Sequence, residues 1–67
     1  MKLQEYDAVK LLRSLPKYGL PTGSEGTIVM DYASTPPDYE VEFFDSNGGT
    51  IALATVPGSD LEFVQRP

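Results

Sequence analysis

The chain has 67 residues, a net charge of −5, no cysteine and no histidine. So short a chain buries only about 60% of its unfolded surface, which limits it to one small domain, residues 1–67, of modest stability. Without those two residue types there is no disulfide, no Cys or His metal site and no usual general base, so the composition points away from an enzyme.

The charge is unevenly spread. Lys2, Lys10, Arg13 and Lys17 are four of the five cations, and the fifth is Arg66. Between Tyr18 and Gln65 there is no positive side chain, while eight acids occur there: Glu25, Asp31, Asp38, Glu40, Glu42, Asp45, Asp60 and Glu62. Such a stretch repels a phosphate backbone, because nucleic-acid binding needs cations that displace counterions. Acids of this kind keep a small domain soluble, or form a face that steers toward a basic protein. Met1-Lys2-Leu3-Gln4-Glu5 is not followed by an apolar run, so no signal peptide is expected. No apolar stretch approaches the roughly 20 residues of a membrane span, and the expected location is the cytoplasm.

Residues 6–12 alternate, with Val9 and Leu11 on one face and Ala8 and Lys10 on the other. That is the pattern of a half-buried strand. A helix over residues 3–15 is the competing reading, but Leu3, Val9 and Leu12 make no clean helical stripe. Residues 13–24 contain Pro16, Gly19, Pro21 and Gly23, which break regular structure. They predict a long irregular loop anchored by Leu15, Tyr18 and Leu20 over one end of a barrel. Gly23-Ser24-Glu25-Gly26 predicts a tight turn, and residues 26–32 a second strand with Ile28 and Met30 inward. The pair Pro36-Pro37 marks a loop, since prolines do not sit in a central strand.

Residues 39–44 predict a third strand with Tyr39, Val41 and Phe43 inward and Glu40 and Glu42 outward. Asp45-Ser46-Asn47-Gly48-Gly49 carries the Asn-Gly hairpin signal. Residues 50–56 predict a fourth strand with Ile51 and Leu53 inward. Pro57-Gly58-Ser59-Asp60 predicts a single 3₁₀ turn, because proline presets φ and removes a donor. Residues 61–65 predict a fifth strand. The expected core is Val9, Leu11, Ile28, Met30, Val41, Phe43, Ile51, Leu53 and Leu61. Phe44, Val56 and Phe63 have the wrong parity or sit at strand ends, and exposed together they would form an apolar patch. The order of strands and connections predicts an all-β fold, a small five-stranded SH3-like barrel with a long first loop and a 3₁₀ turn before the last strand. An OB-fold is the rival, but it normally carries a helix between its third and fourth strands.

From Glu5-Tyr6-Asp7-Ala8-Val9-Lys10-Leu11-Leu12 through Leu15-Pro16, Gly19-Leu20 and Gly23-Ser24-Glu25-Gly26-Thr27-Ile28-Val29, the chain resembles a family of small bacterial proteins catalogued as domain of unknown function 4926. The likeness continues through Tyr39-Glu40-Val41-Glu42-Phe43 and Thr50-Ile51-Ala52-Leu53-Ala54-Thr55-Val56 to Asp60-Leu61. It implies a stand-alone SH3-like domain with no assigned catalysis, of a kind often encoded beside another small protein, as in toxin–antidote pairs. The turn Gly23-x-x-Gly26-Thr27 is also similar to that of ribosomal and transcription-factor SH3-like domains that bind RNA, although those are usually basic. The absence of tryptophan argues against an SH3 groove for Pro-rich peptides.

Pairing Tyr32 with Tyr39 and Phe43 with Ile51 predicts an outer face of Val29, Asp31, Glu40, Glu42, Ala52 and Ala54, a flat patch with an acidic ridge. In this register Asp31 lies opposite Glu40, and a slip of one residue would turn the set inward. Asp31 with Glu40 is too sparse for calcium, which wants six to eight oxygens. A carboxylate pair for acid–base work needs a pocket, for which so small a barrel has little room. No cofactor and no metal are expected. Tyr6, Tyr18, Tyr32 and Tyr39 are the second candidate surface, since tyrosine often anchors interfaces; Tyr32 and Tyr39 could equally pack across a hairpin. The reading is a non-catalytic module that binds another, basic protein, with the alternatives of a nucleic-acid-binding domain resting on Lys10, Arg13 and Lys17, or a homo-oligomer that buries an edge strand.

Overall fold

A computed structural model describes residues 2–67. Five strands form: β1 (Ala8–Leu11), β2 (Glu25–Asp31), β3 (Asp38–Phe44), β4 (Thr50–Pro57) and β5 (Leu61–Gln65). They make one antiparallel sheet in the order β4-β3-β2-β1-β5. Each strand pairs with its sequence neighbour except β5, which crosses back to lie beside β1. The sheet is open, with β4 and β5 as its two ends. Both ends still supply residues to a single core: Val9, Leu11, Leu20, Ile28, Tyr39, Val41, Phe43, Ala54, Val56 and Leu61. The sheet therefore coils around that core, as twisted strands do.

The irregular segments follow the turn chemistry of the sequence. Pro16–Tyr18 is one 3₁₀ turn, closed by Gly19 at φ 69°, a left-handed conformation that glycine adopts without strain. Leu15 and Leu20 bridge across it, with Leu20 buried and Leu15 half-buried. Tyr18 is exposed and anchors nothing, contrary to the expectation for it. In the Asp45–Gly49 hairpin, Asp45 Oδ1 accepts from the backbone N–H of Asn47 and of Gly49, both at 2.9 Å, and Gly48 takes φ 83°. Gly58–Asp60 is the expected 3₁₀ turn before β5. The first strand is shorter than its alternation suggests. A turn closed from Asp7 N–H to Gln4 C=O at 3.2 Å puts Tyr6 at φ 74°, so extended backbone begins only at Ala8.

Gly26 does not belong to the turn with Gly23. It is buried inside β2, opposite Phe43, where an added Cβ would lie 2.6 Å from the Glu42 carbonyl oxygen.

Two bulges overturn the expected parity. Between Ile28 and Met30 the register slips, so Ile28 faces Val41 and Met30 faces Glu40. An extra residue at Val29 turns Met30 outward, where it is exposed. Between Phe43 and Phe44 the register slips again: Phe43 faces Ala52 and Phe44 faces Thr50. The extra residue is Ile51. Ala54 and Val56 are buried and Ala52 packs against the core, while Ile51 and Leu53 are exposed. Volume explains this choice. Tyr39, Val41 and Phe43 fill the space under β3, and their neighbours on β4 are Val56, Ala54 and Ala52; two alanines leave room for the large side chains. Of the three residues of doubtful parity, Val56 is core, Phe63 is half-buried opposite Val9, and Phe44 is exposed. They form no common patch.

This register makes a prediction. Leu53→Thr should change unfolding free energy by no more than about 0.5 kcal/mol, as surface substitutions do. Ala54→Leu should cost about 1–3 kcal/mol by overpacking. Urea denaturation of the two variants distinguishes this pairing from the slipped one, in which the order would reverse.

Candidate functional site

The outer face of β2, β3 and β4 sets carboxylates beside exposed apolar side chains. The cross-strand pairs there are Thr27 with Glu42 and Glu42 with Leu53, then Met30 with Glu40 and Glu40 with Thr55. Two carboxylates thus stand side by side on β3, flanked by Met30 on one strand and Leu53 on the other. Met30 is 47% exposed, Leu53 51% and Ile51 49%.

Hydroxyl groups hold the carboxylates in place. Glu40 Oε1 accepts from the Tyr32 hydroxyl at 3.0 Å and from Thr55 Oγ1 at 2.8 Å. Glu42 Oε2 accepts from Thr50 Oγ1 at 2.6 Å. Hydroxyl-to-carboxylate bonds are short and directional, so both side chains are held along the sheet. Among the described residues, neither is paired with a cation. Among the described residues the ion pairs are Arg13 with Asp60 at 3.4 Å and Arg66 with Asp7 at 2.8 Å.

The expected surface is therefore partly assembled. Glu40 and Glu42 lie on it as anticipated, and Tyr32 reaches it through its hydroxyl. Val29 is the half-buried bulge residue beside it. Asp31 leaves the ridge: it pairs with Tyr39, its Oδ1 accepts from the Ala33 N–H at 2.8 Å, and Met30 takes the place opposite Glu40. Ala52 and Ala54 turn inward and cannot contribute. Tyr39 is buried at 2% exposure, with its hydroxyl 3.4 Å from the Leu3 carbonyl oxygen. Burial and the nearby Asp31 and Asp7 charges push its phenol above the ordinary range. Tyr18 sits apart on the 3₁₀ turn of the first loop. Tyr18, Tyr32 and Tyr39 share no groove.

Met30, Ile51, Leu53 and Thr55 join the face in their stead. Pattern reasoning missed Ile51, Leu53 and Thr55 because β4 reads as apolar on both of its faces, which leaves parity open, and Met30 because of the bulge at Val29. The signal that finds the β4 residues is size: Val41 and Phe43 on β3 lie opposite Ala54 and Ala52, which leave them room.

A shallow cleft beside this face is lined by Ala8, Glu25, Gly26, Thr27, Phe44, Asp45 and Ser46. It holds two acids and no cation. Among the described residues no cluster of three or more acids could hold a metal ion, and no helix is long and apolar enough to cross a membrane.

A second polar feature is structural in kind. Asp7 is completely buried, and its carboxylate receives Arg66 in a two-pronged contact, Nε to Oδ1 at 2.8 Å and Nη2 to Oδ2 at 2.9 Å. The Gln4 backbone N–H donates to Oδ2 at 2.9 Å. Arg66 Nη2 also donates to the Lys2 carbonyl at 3.1 Å, and its guanidinium lies 5.4 Å from the centre of the Phe63 ring. The pair clamps the segment before β1 to the segment after β5. The Arg66 hydrogen bonds hold the Asp7 carboxyl below the usual carboxylate range, against the opposing effect of burial.

The profile of one protein family, described as Domain of unknown function (DUF4926), matches residues 5–63. The chain belongs to this family. The match runs from the Gln4–Asp7 turn into β5, so the matched span of this chain includes all of β1 to β4, the bulges at Val29 and Ile51, and the acidic face. No curated protein matches the chain. No solved structure matches it either.

Proposed function

We propose that this DUF4926 domain is a non-catalytic binding module of SH3-like barrel type whose ligand is a basic protein. The strand order supports the barrel reading: a meander of four strands with the fifth returning beside the first is the connectivity of that architecture. The observation that carries the binding reading is the pair Glu40 and Glu42, fixed side by side by hydroxyl donors and, among the described residues, without a cation partner. Fixed, unpaired carboxylates between exposed Met30 and Leu53 suit a partner that presents Lys or Arg around an apolar centre. Such charge complementarity mainly speeds association and selects partners.

The test is affinity capture from the protein's own cell lysate at low and high salt, with the bound protein identified by mass and then titrated in purified form. A basic protein held at low salt is expected, with its affinity reduced at least tenfold by Glu40→Lys with Glu42→Lys. Binding that survives both the double change and high salt would refute the acidic-face reading. Both positions lie on the outer face, so thermal melting of the variant should stay cooperative.

A further inference from the structure

We propose that the free edge of β4 is a self-association surface, where two copies of this chain pair antiparallel through Leu53 and Thr55. The argument begins with the hydrogen bonds at the ends of β3. Gly58 N–H donates to the Pro37 carbonyl at 3.0 Å, and Tyr32 N–H donates to the Asp38 carbonyl at 3.3 Å. In an antiparallel ladder, bonded and non-bonded pairs alternate. Pro37 with Gly58 is a bonded pair, so Tyr39 with Val56 and Val41 with Ala54 are bonded too. Glu40 with Thr55 and Glu42 with Leu53 are the non-bonded pairs. The N–H and C=O groups of Leu53 and Thr55 therefore point away from β3, to the open side of the last strand in the sheet.

Exposed edges of this sort are normally protected by charges, prolines or short length. β4 has eight residues, Thr50 to Pro57, and none of them is ionisable. Its proline comes only at the last position. The opposite edge is different: β5 has five residues, includes Glu62, and leads directly into Arg66. In a chain of net charge −5, the uncharged strand is the place where two copies approach with least repulsion. The side chains agree, since Ile51 and Leu53 stand half-exposed on that strand.

A second copy also fits geometrically. With the two-fold axis at Ala54, Leu53 of each copy lies opposite Thr55 of the other. Each free N–H then meets a free C=O, and the sheet continues across the axis as ten strands. The surface is self-complementary, as a two-fold interface requires.

The experiment combines sedimentation equilibrium with amide hydrogen exchange of the purified full chain, from micromolar concentration to about 1 mM, where even weak pairing is populated. The expected results are a doubling of mass with concentration and at least tenfold slower exchange at Leu53 and Thr55 in the dimer. Added salt should leave the dimer intact or strengthen it, since it screens repulsion between like-charged copies; salt would release a basic ligand, so the two readings fail separately. Leu53→Lys should abolish the mass change, and Ile51→Lys serves if that variant does not fold. A monomer throughout the range would overturn the proposal. So would a dimer whose Leu53 and Thr55 amides exchange as fast as in the monomer.

Discussion

Gly26→Ala is expected to unfold this protein. The new methyl carbon would lie 2.6 Å from the Glu42 carbonyl oxygen, 2.8 Å from Val41 Cγ1 and 3.0 Å from Phe43 Cδ1. The first of these atoms is backbone within the β2–β3 pairing, and the other two belong to fully buried core residues. None can move without breaking the ladder or the core. Overpacking typically costs about 1–3 kcal/mol, and more where backbone must give way as it must here, while a core this small rarely supplies more than about 3–5 kcal/mol. Gly23→Ala is the control. It sits at φ 89° with nothing within 4 Å of an added Cβ, so its cost is conformational alone, about 1–2 kcal/mol. Urea melts should show Gly23→Ala folded with a lower midpoint and Gly26→Ala without a cooperative transition. A well-folded Gly26→Ala would mean that β2 and β3 do not approach as closely as described.

Breaking the buried ion pair should have the next largest effect, and it should change how stability responds to acid. Asp7→Asn keeps the shape but removes the charge that Arg66 and the Gln4 N–H address. Hydrogen bonds to a buried charged group are worth about 1.5–3 kcal/mol, so a loss of about 2 kcal/mol at neutral pH is expected. In the wild-type protein the folded Asp7 carboxyl titrates below its ordinary value of 3.8. Between those two values the unfolded chain binds the proton and the folded one does not. Asp7 therefore contributes its full stabilisation above the ordinary value, and loses it as pH falls toward the folded one. Arg66→Leu removes the cause of the lowering and leaves burial to raise the carboxyl instead. The sign of the linkage then reverses: between the ordinary and the raised value the folded chain binds the proton and the unfolded one does not, so this group should add stability as pH falls where in the wild type it loses it. Chemical denaturation between pH 3 and pH 7 checks both expectations. An Arg66→Leu profile parallel to that of the wild type would show that the pair does not govern acid stability.

The number of strands, their order along the chain, the breaks between them and the inward set of β3 all follow from the local pattern of residues. These are local matters. Proline and glycine set the backbone at Pro16, Gly19, Gly48 and Pro57, and Tyr39, Val41 and Phe43 alternate with charged neighbours that cannot be buried. Glu40 and Glu42 were legible as the outer ridge for the same reason. Tertiary structure decided the rest. β4 contains Ile51, Ala52, Leu53, Ala54 and Val56 with no charge to mark a face, so only packing against bulky β3 residues selects the alanine face for the core. The bulges at Val29 and Ile51 exchanged Met30 for Asp31 opposite Glu40 and turned Leu53 outward. A bulge is a compromise between two strands and leaves no mark in either one alone. The Asp7–Arg66 clamp joins residues 59 positions apart, and no local pattern pairs them. Gly26 reads as a turn residue because glycine usually is one; only the approach of β3 reveals that its missing side chain makes room for a neighbouring backbone.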